Sequence, residues 1–292
     1  MSRKLLLLAA SVAVLSGAAT FAQAADIMDP PVVELPEPVV HMPAPAKGGW
    51  YIRGDIGYSL NKMGNVPFYT AGSTGVGSST LEILDINKNW SVGGGVGYDT
   101  GNYLRMDLTA DYFSKANIHG RSLASCTVGG VTSACYTTDT ASLTALSLMA
   151  NAYVDLGKFN GFTPYVGAGI GGSHVKFSEL NNACPVGATN CTPEVHPGGK
   201  EWRFTYAVMA GASYDVTDCL AIDAGYRYRK IEGGKMFDRG TNAFSPGPGH
   251  DKGVSSHDFR IGARYKLGGL GGGGCGASHV PDYQPDYQPV YK

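Results

Sequence analysis

Regular alternation of apolar and polar residues is the feature that most constrains the fold of this chain. Between Trp202 and Val216, every second residue from the tryptophan onward is apolar, and the intervening residues are mostly small, polar or charged. Successive side chains of a β-strand point to opposite faces, so the stretch predicts a strand with one apolar face. Aromatic residues at both ends of such a face are typical of strands that cross a membrane. The first hypothesis is therefore an outer-membrane β-barrel.

Eight alternating stretches follow one another along the chain. They are 50–60, 90–98, 104–112, 146–154, 164–177, 202–216, 220–228 and 259–267. The facing of the Gly-rich fifth stretch is the hardest to assign, because glycine carries no side chain to mark a face. We predict an all-β fold, an eight-stranded antiparallel up-and-down transmembrane β-barrel over 48–267.

The connections between these stretches alternate in length. Short turns fall at 99–102, 157–161 and 215–218, whereas the long connections 61–87, 116–139, 178–199 and 233–254 are rich in Gly, Ser, Thr and Asn. Outer-membrane barrels place short turns in the periplasm and long loops outside the cell. We therefore expect four mobile outer loops and, from the even strand count, both termini in the periplasm.

The first residues have the form of an export signal. Arg3 and Lys4 supply a basic start, 5–15 is an apolar run, and Ala22-Gln23-Ala24 has the small-x-small form of a cleavage site. We predict a cleaved signal peptide over 1–24. The alternative is a membrane anchor, but the apolar run is short for one and is interrupted by serine.

The flanks of the predicted barrel differ from it in composition. Residues 25–47 are Pro-rich, which disfavours a central strand and favours extended polyproline conformations. We predict a flexible periplasmic linker there, with recognition by a Pro-binding partner as the alternative. Residues 268–292 are Gly-rich and end in a tandem Asp-Tyr-Gln-Pro repeat, which predicts a disordered periplasmic tail. The tail is a candidate for contact with peptidoglycan or another periplasmic component.

Overall charge and composition restrict the class of protein. The chain has 23 Lys and Arg against 24 Asp and Glu, a net charge of −1, which argues against nucleic acid as a partner. Charged residues make up 16% of the chain, below the quarter or so usual for soluble domains. With 42 Gly and 17 Tyr, this composition suits a lipid-facing barrel with closely packed strands.

Charged residues recur at the positions predicted to face the barrel interior. They are Arg53, Asp55, Arg105, Asp107, Asp111, Asp155, Arg203, Asp215, Asp223, Arg227, Arg229, Asp258, Arg260 and Arg264, with Lys266 at the end of the last stretch. An eight-stranded barrel is wide enough only for side chains to fill it, and buried charges are costly unless paired. We predict a lumenal salt-bridge network; a polar ion path and a catalytic carboxylate pair are the alternatives.

Aromatic residues flank the predicted outward faces. The set comprises Trp50, Tyr58, Trp90, Tyr98, Tyr112, Trp202, Tyr214, Tyr226, Phe259 and Tyr265. Eight residues of tilted strand span roughly 20 Å, so paired aromatics such as Trp50 and Tyr58 can reach both edges of an apolar band. We predict two aromatic belts. The alternative is a scatter of aromatics through a soluble β core.

Six cysteines occur in this chain, and export would allow disulfides to form. Cys126 lies near Cys135 and Cys184 near Cys191, each pair in a Gly/Ser/Thr/Pro-rich stretch, while Cys219 and Cys275 are left over. Six cysteines allow 15 connectivities, so spacing does not fix the pairing. Local pairs that each staple one loop are the simplest candidates. A metal site is weakly supported because neither spacing is CxxC.

Signatures of enzymes are weak. The run from Gly167 to Gly172 fits GxGxxG on paper, but it lies inside an alternating stretch with no helix pattern after it. Five histidines lie in or beside the predicted outer loops: His119, His174, His196, His250 and His257. A histidine with a Ser or Asp at the rim could form a surface hydrolase, although solvated loop histidines are commoner. We assign no catalytic, cofactor-binding or metal-binding residue, and we expect no cofactor.

Three short motifs resemble one family in the order in which they occur. Gly49-Trp50-Tyr51-Ile52-Arg53-Gly54-Asp55-Ile56-Gly57-Tyr58, Pro164-Tyr165-Val166-Gly167-Ala168-Gly169 and Asp258-Phe259-Arg260-Ile261-Gly262-Ala263-Arg264-Tyr265 are similar to the small outer-membrane β-barrel proteins of alphaproteobacteria. These include opacity-type surface antigens, often labelled porins, and resemble the OmpA-type eight-stranded domain. The resemblance covers roughly 48–267. Such barrels usually end on an aromatic residue used for assembly, whereas a tail follows Leu267 here, so the signal would be internal, at 259–267.

The resemblance implies a role in the envelope of a Gram-negative bacterium rather than a catalytic activity. The expected partners are outer-membrane lipid, lipopolysaccharide and the barrel-assembly machinery. We expect a structural and surface-antigen role, with envelope integrity, outer loops displayed for adhesion or recognition, and a lumen plugged by charges. The alternatives are a narrow non-specific diffusion pore, an outer-membrane surface hydrolase and a soluble lipocalin-like carrier.

Overall fold

The computed structural model describes residues 48–72, 75–240 and 246–267. Fifteen β-strands account for the regular structure of these ranges. None of the described residues forms a helix that is long and apolar enough to span a membrane. The predicted signal peptide, Pro-rich linker and Gly-rich tail lie outside the described residues.

Eight long strands form a closed barrel. They are β1 (Gly49–Met63), β4 (Asn89–Asp99), β5 (Leu104–Val128), β7 (Thr138–Asp155), β8 (Phe162–Phe177), β11 (Lys200–Asp215), β12 (Leu220–Ile231) and β15 (Val254–Lys266). Each pairs antiparallel with the next, and β15 pairs back with β1, so the sheet has no free edge along this ring. The predicted eight-stranded up-and-down barrel is confirmed.

The parity of each strand follows the alternation in sequence. In β1, Ile52 and Ile56 are exposed on the outer face, while Asp55 is buried in the interior. The GxGxxG-like run, 167–172, lies inside β8 and pairs with β7 and β11, as the alternating pattern indicated. The outer face is apolar because lipid surrounds it, and the inner face carries the polar groups.

Tight turns join the strands at one end of the barrel. The chain reverses after Asp99 through Gly101, whose φ of 78° is costly for other residues and whose N–H donates to Asp99 Oδ1 at 2.9 Å. A second turn uses Asn160 and Gly161, also with positive φ, and a third is held by a hydrogen bond from Leu220 N–H to Thr217 Oγ1 at 3.0 Å. This end faces the periplasm in barrels of this kind.

The long connections at the other end are folded into further strands. They are β2 (Val66–Gly72), β3 (Gly75–Ile86), β6 (Val131–Tyr136), β9 (Leu180–Ala183), β10 (Glu194–His196), β13 (Gly234–Phe237) and β14 (Gly249–Asp251). We call these seven strands, with the outer ends of β5 and β7, the crown. Residues 116–139, expected to be a mobile loop, instead lie mostly in β5, β6 and β7, which pair with one another.

Backbone pairing orders the crown as a second ring above the barrel. The pairings run β10–β9–β7–β5–β3–β2–β14–β13. Between the ends of this series, Gly199 N–H donates to Met236 O at 2.7 Å and Asp238 N–H donates to Pro197 O at 2.8 Å. The expectation of four mobile loops therefore needs correction, because each of the four long connections contributes paired strands to the crown.

An apolar core fills the crown and the outer end of the barrel. Its buried members are Val66, Phe68, Leu81, Ile86, Phe113, Ala116, Ile118, Ala141, Leu143, Ala145, Val175, Phe177, Leu180, Ile231, Met236, Phe237 and Val254. Several of these, such as Ile118 and Met236, come from the long connections. Burial of these side chains, at roughly 1.5–3 kcal/mol for each large one, provides the driving force that folds the connections.

Two disulfides fix the tip of the crown. Cys126 and Cys135 join β5 to β6 with their Cα atoms 5.8 Å apart, and Cys184 and Cys191 close the connection between β9 and β10 at 6.0 Å. These are the two local pairs that the sequence suggested. Each closes a loop of fewer than ten residues, so each constrains one hairpin rather than the whole crown.

Candidate functional site

The barrel interior holds a continuous chain of alternating charges. Arg53 lies 2.9 Å from Asp107 and 3.2 Å from Asp55. Arg260 pairs with Asp55 and, at 3.0 Å, with Asp111. The chain continues through Arg227, Asp258 and Arg229, as described next. Since neighbouring inward positions come from different strands, the closed barrel brings together residues more than 200 apart in sequence.

Arg227 is the centre of the second half of this chain. Its side chain is 1% exposed, and it donates to Asp111 and Asp258 at 2.9 Å each. Arg229 lies 3.7 Å from the same Asp258 carboxylate. The eight members, Asp107, Arg53, Asp55, Arg260, Asp111, Arg227, Asp258 and Arg229, carry four positive and four negative charges. Such balance offsets the cost of burying each ion alone.

Neutral polar groups extend the charged chain towards the periplasm. Asp107 accepts hydrogen bonds from Tyr51 Oη at 3.2 Å and from Asn151 Nδ2 at 2.7 Å. Tyr153 Oη accepts one from Arg53 at 3.0 Å. Arg105 pairs with the next carboxylate, that of Asp155, at 2.7 Å.

Two tyrosine rings pack against Arg105 at this end. Its guanidinium carbon lies 5.2 Å from the ring centroid of Tyr153 and 5.1 Å from that of Tyr165. On the opposite wall Arg264 lies 3.4 Å from Asp223. Cation–π contacts of this kind add to the ion pairs when the groups are shielded from water.

Inward glycines make room for the lumenal tyrosines. A Cβ on Gly167 would lie 2.6 Å from Cδ1 of Tyr153, and one on Gly211 would lie 2.6 Å from Oη of Tyr165. A Cβ on Gly97 would likewise overlap the ring of Tyr51. Glycine at these positions lets large rings cross the lumen and fill it.

Little space is left among these side chains. A cavity of about 20 Å³ is bounded by Arg53, Asp55, Tyr153, Tyr165 and Arg260, among others. This is about the volume needed to hold one water molecule. Above it, Arg229 stacks on Phe113, with its guanidinium carbon 3.4 Å from the ring centroid. The apolar core of the crown therefore lies directly on the charged chain.

Two residues predicted for the network lie elsewhere. Asp215 pairs with Lys158 at 2.6 Å at the periplasmic rim, with its side chain 33% exposed. Arg203 pairs with Asp251 at 2.7 Å and with Glu201 at 3.0 Å beside the crown. Parity along a strand identifies the face of each residue but not its height in the barrel, so it did not show that these two would pair away from the eight-member chain.

Other members of the lumen were missed from the sequence. Tyr51 and Tyr165 share the inward parity of Arg53 and of the strand glycines, and this parity could have identified them. Asp251 lies in β14, where no alternation marks its facing. Lys266, placed with the inward set, lies 3.7 Å from Asp99 at the rim.

The ten predicted belt aromatics all lie on the outer face. One group, near the periplasmic turns, comprises Trp50, Tyr98, Tyr214 and Tyr265; the other comprises Tyr58, Trp90, Tyr112, Trp202, Tyr226 and Phe259. Ring contacts link neighbours within each group, such as Trp50 and Tyr98 at 5.4 Å between centroids and Tyr58 and Trp90 at 4.9 Å. Phe162 joins the first group through Tyr214 at 4.7 Å.

The five histidines lie in different surroundings within the described residues. His119 and His250 are exposed, and His174 and His257 are half-buried. His196 is buried in the crown and lies 3.5 Å from Glu194. A serine hydroxyl paired with a histidine is absent from the described ranges, and within them no cluster of His, Cys, Asp and Glu could hold a metal ion.

Comparison with known proteins gives consistent matches. The family described as "Outer membrane protein beta-barrel domain" matches residues 8–266. An uncharacterised protein of Brucella abortus is 38% identical over 259 residues, 79% of this chain and 89% of that protein. The outer membrane protein PagN of Salmonella typhimurium is 38% identical over 122 residues, 40% of this chain and 47% of PagN. A candidate adhesin of Rickettsia bellii is 27% identical over 277 residues, 91% of this chain and 100% of that protein.

Proposed function

Since the chain belongs to the family of the outer membrane protein beta-barrel domain, we propose that it is a non-enzymatic structural protein that displays its crown outside the cell and has a lumen closed to ions. Its place is the outer membrane of a Gram-negative bacterium, with the apolar outer face of the barrel in contact with lipid. The lumen charges serve structure rather than transport or catalysis.

One observation supports the proposal that the lumen is closed to ions. The balanced chain from Asp107 to Arg229 crosses the interior, and the cavity beside it has a volume of about 20 Å³. An ion passing this point would have to break several buried ion pairs, each costly to separate in a low-dielectric interior. An apolar core that begins at Phe113 lies above the charged chain and adds a region that disfavours the entry of an ion.

The folded crown supports a display role. The β5–β6 hairpin ends in an exposed turn at Gly129 and Gly130, beside the disulfide between Cys126 and Cys135. Rigid, disulfide-bonded hairpins present the same surface at every encounter, which lowers the entropic cost of recognition. The Rickettsia bellii relative is named as an adhesin, and this name is consistent with surface recognition.

We also expect contacts with the barrel-assembly machinery and with lipopolysaccharide. The signal that the barrel-assembly machinery recognises would lie at 259–267, at the end of strand β15. That strand must pair with β1 to close the ring. Lipopolysaccharide would surround the outer aromatic group, which includes Trp90 and Trp202, at the outer-leaflet level.

Surface staining and permeability together test this function. An epitope tag inserted between Gly129 and Gly130 should be stained on intact cells, because the crown lies outside. Expression of the same chain in porin-depleted cells should leave uptake of a small hydrophilic solute unchanged. Staining only after cell lysis would contradict display, and increased solute uptake would favour the pore instead.

A further inference from the structure

The crown contains a polar cup that the display role does not use. A cavity of about 250 Å³ opens among β2, β3, β5, β9 and β10. The residues that matter for its chemistry are Phe68, Ser122, Thr137, Asn182, Glu194 and His196. Its volume lies just below the range of about 300–1,000 Å³ that is common for drug-sized ligands, so it suits a single small ring.

A buried carboxylate orients the polar groups of the cup. Asp139, on the part of β7 beyond the membrane, accepts hydrogen bonds from Ser122 Oγ and from Asn182 Nδ2, both at 2.6 Å. Asn182 Nδ2 also donates to Thr137 Oγ1 at 2.9 Å. Because their donors are directed at Asp139 and Thr137, Ser122 and Asn182 keep oxygen lone pairs available as acceptors for a ligand.

A second polar pair forms the opposite wall. His196 lies 3.5 Å from Glu194 and is buried, so its imidazole is held in place beside the carboxylate. The pair adds a carboxylate acceptor and a neutral ring to the lining of the cavity. Phe68 adds an aromatic surface to the same cavity.

The charges of the cup select against anions. Its carboxylates are those of Glu194 in the lining and Asp139 behind it, and no Lys or Arg is among its described lining residues. Burial lowers the pKa of His196, which keeps that ring neutral near pH 7. A sulfated or phosphorylated ligand would therefore meet negative charge without a compensating cation, whereas hydroxyl groups can donate to Glu194 and to the oriented oxygens.

We propose that this cup binds one uncharged sugar unit of a glycan, with ring hydroxyls donating to Glu194 and to Ser122 and Asn182 oxygens, and the apolar face of the sugar against Phe68. The proposal deepens the display role and rests on it, because the cup must face outward to meet a glycan.

Ligand-detected NMR on the full chain refolded in detergent tests the cup. The probes are methyl glycosides of neutral hexoses and N-acetylhexosamines, together with their 6-sulfated forms. We expect at least one neutral glycoside to bind in the millimolar range and its sulfated form to bind at least tenfold more weakly. Glu194→Gln and Asn182→Leu should each weaken binding at least fivefold.

Glu82→Gln is the matched control, because Glu82 pairs with Arg121 on the crown outside the cup at 2.7 Å. It should bind like the unmodified chain, and heat-modifiable migration in gels shows that each variant is folded. The proposal is overturned if no neutral glycoside binds, if the sulfated forms bind as well, or if both cup variants bind normally. A folded, surface-stained and non-conducting chain that binds none of the probes refutes the cup alone and leaves the display role standing.

Discussion

At the scale of single residues, Asp111 explains how the lumen tolerates so many charges. It is 1% exposed and accepts hydrogen bonds from Arg227 at 2.9 Å and from Arg260 at 3.0 Å. Each of these two arginines has a second carboxylate, that of Asp258 for Arg227 and that of Asp55 for Arg260, so neither depends on Asp111 alone. Sharing of this kind spreads the desolvation cost over the whole chain of charges.

Removal of the charge on Asp111 should therefore destabilise the folded barrel. We expect Asp111→Asn to lower the free energy of unfolding by about 3 kcal/mol, because a buried ion pair is broken on one side only. Asp215→Asn is the matched control, since the Asp215 side chain is 33% exposed and pairs with Lys158 at the rim. That change should cost less than about 1 kcal/mol. Urea unfolding in detergent measures both, and equal losses would contradict the network.

His196 should make the crown sensitive to acid. Burial lowers its pKa in the folded state, while the unfolded chain takes up a proton near the ordinary value of about 6.5. Stability is therefore complete above that pH and falls as the pH drops below it. Asp139 has the opposite sign, because burial raises the pKa of its carboxyl, and the electrostatic coupling of the two groups counts as part of the effect of His196.

The difference in the pH dependence of hydrogen exchange between the unmodified chain and His196→Gln measures the contribution of His196. Hydrogen exchange of β9 and β10 amides should accelerate more in the unmodified chain than in the variant between pH 7.5 and pH 5, after correction for intrinsic exchange rates. The same pH response in both chains would show that His196 contributes nothing to acid sensitivity.

At the scale of elements, alternation in sequence determined the eight barrel strands and the face of nearly every side chain. It did not determine the heights at which strands cross, so Asp215 and Arg203 were assigned to a network that they do not join. The crown was missed for a different reason. Strands such as β10 and β14 have three residues each, too few for a period to be visible, and form only because an apolar core covers them.

The close packing of strands β1 and β4 around Tyr51 predicts that a side chain at Gly97 would destabilise the barrel. Alanine at Gly97 would place a methyl group against the ring of Tyr51 and 2.6 Å from Met106 O, so we expect a loss of about 1–3 kcal/mol from overpacking. Gly54→Ala is the control, because its nearest neighbour would be Gly93 O at 4.0 Å on the lipid-facing side. Urea unfolding compares the two, and an equal loss would contradict the packing of Tyr51.

At the scale of the whole molecule, the interior has two parts, one above the other, that are packed with different kinds of side chain. Ion pairs fill the membrane-spanning interior, and an apolar core lies in the crown above them, with Arg229 and Phe113 in contact where they meet. The charged part was predicted from the sequence, since strands such as β1, β5 and β12 carry charged residues at alternating, inward positions. The apolar part could not be predicted, because Phe68, Ile118 and Met236 become a core only when connections distant in sequence pair with one another.

Single-channel recording in a planar bilayer tests the closed lumen most directly. The chain, refolded without residues 1–24 and shown to be folded by heat-modifiable migration, should give flat traces at both signs of voltage, because an ion would have to break the buried ion pairs of the charged chain. Reproducible conductance steps whose size changes in Asp107→Asn would contradict this account and would show that the lumen conducts.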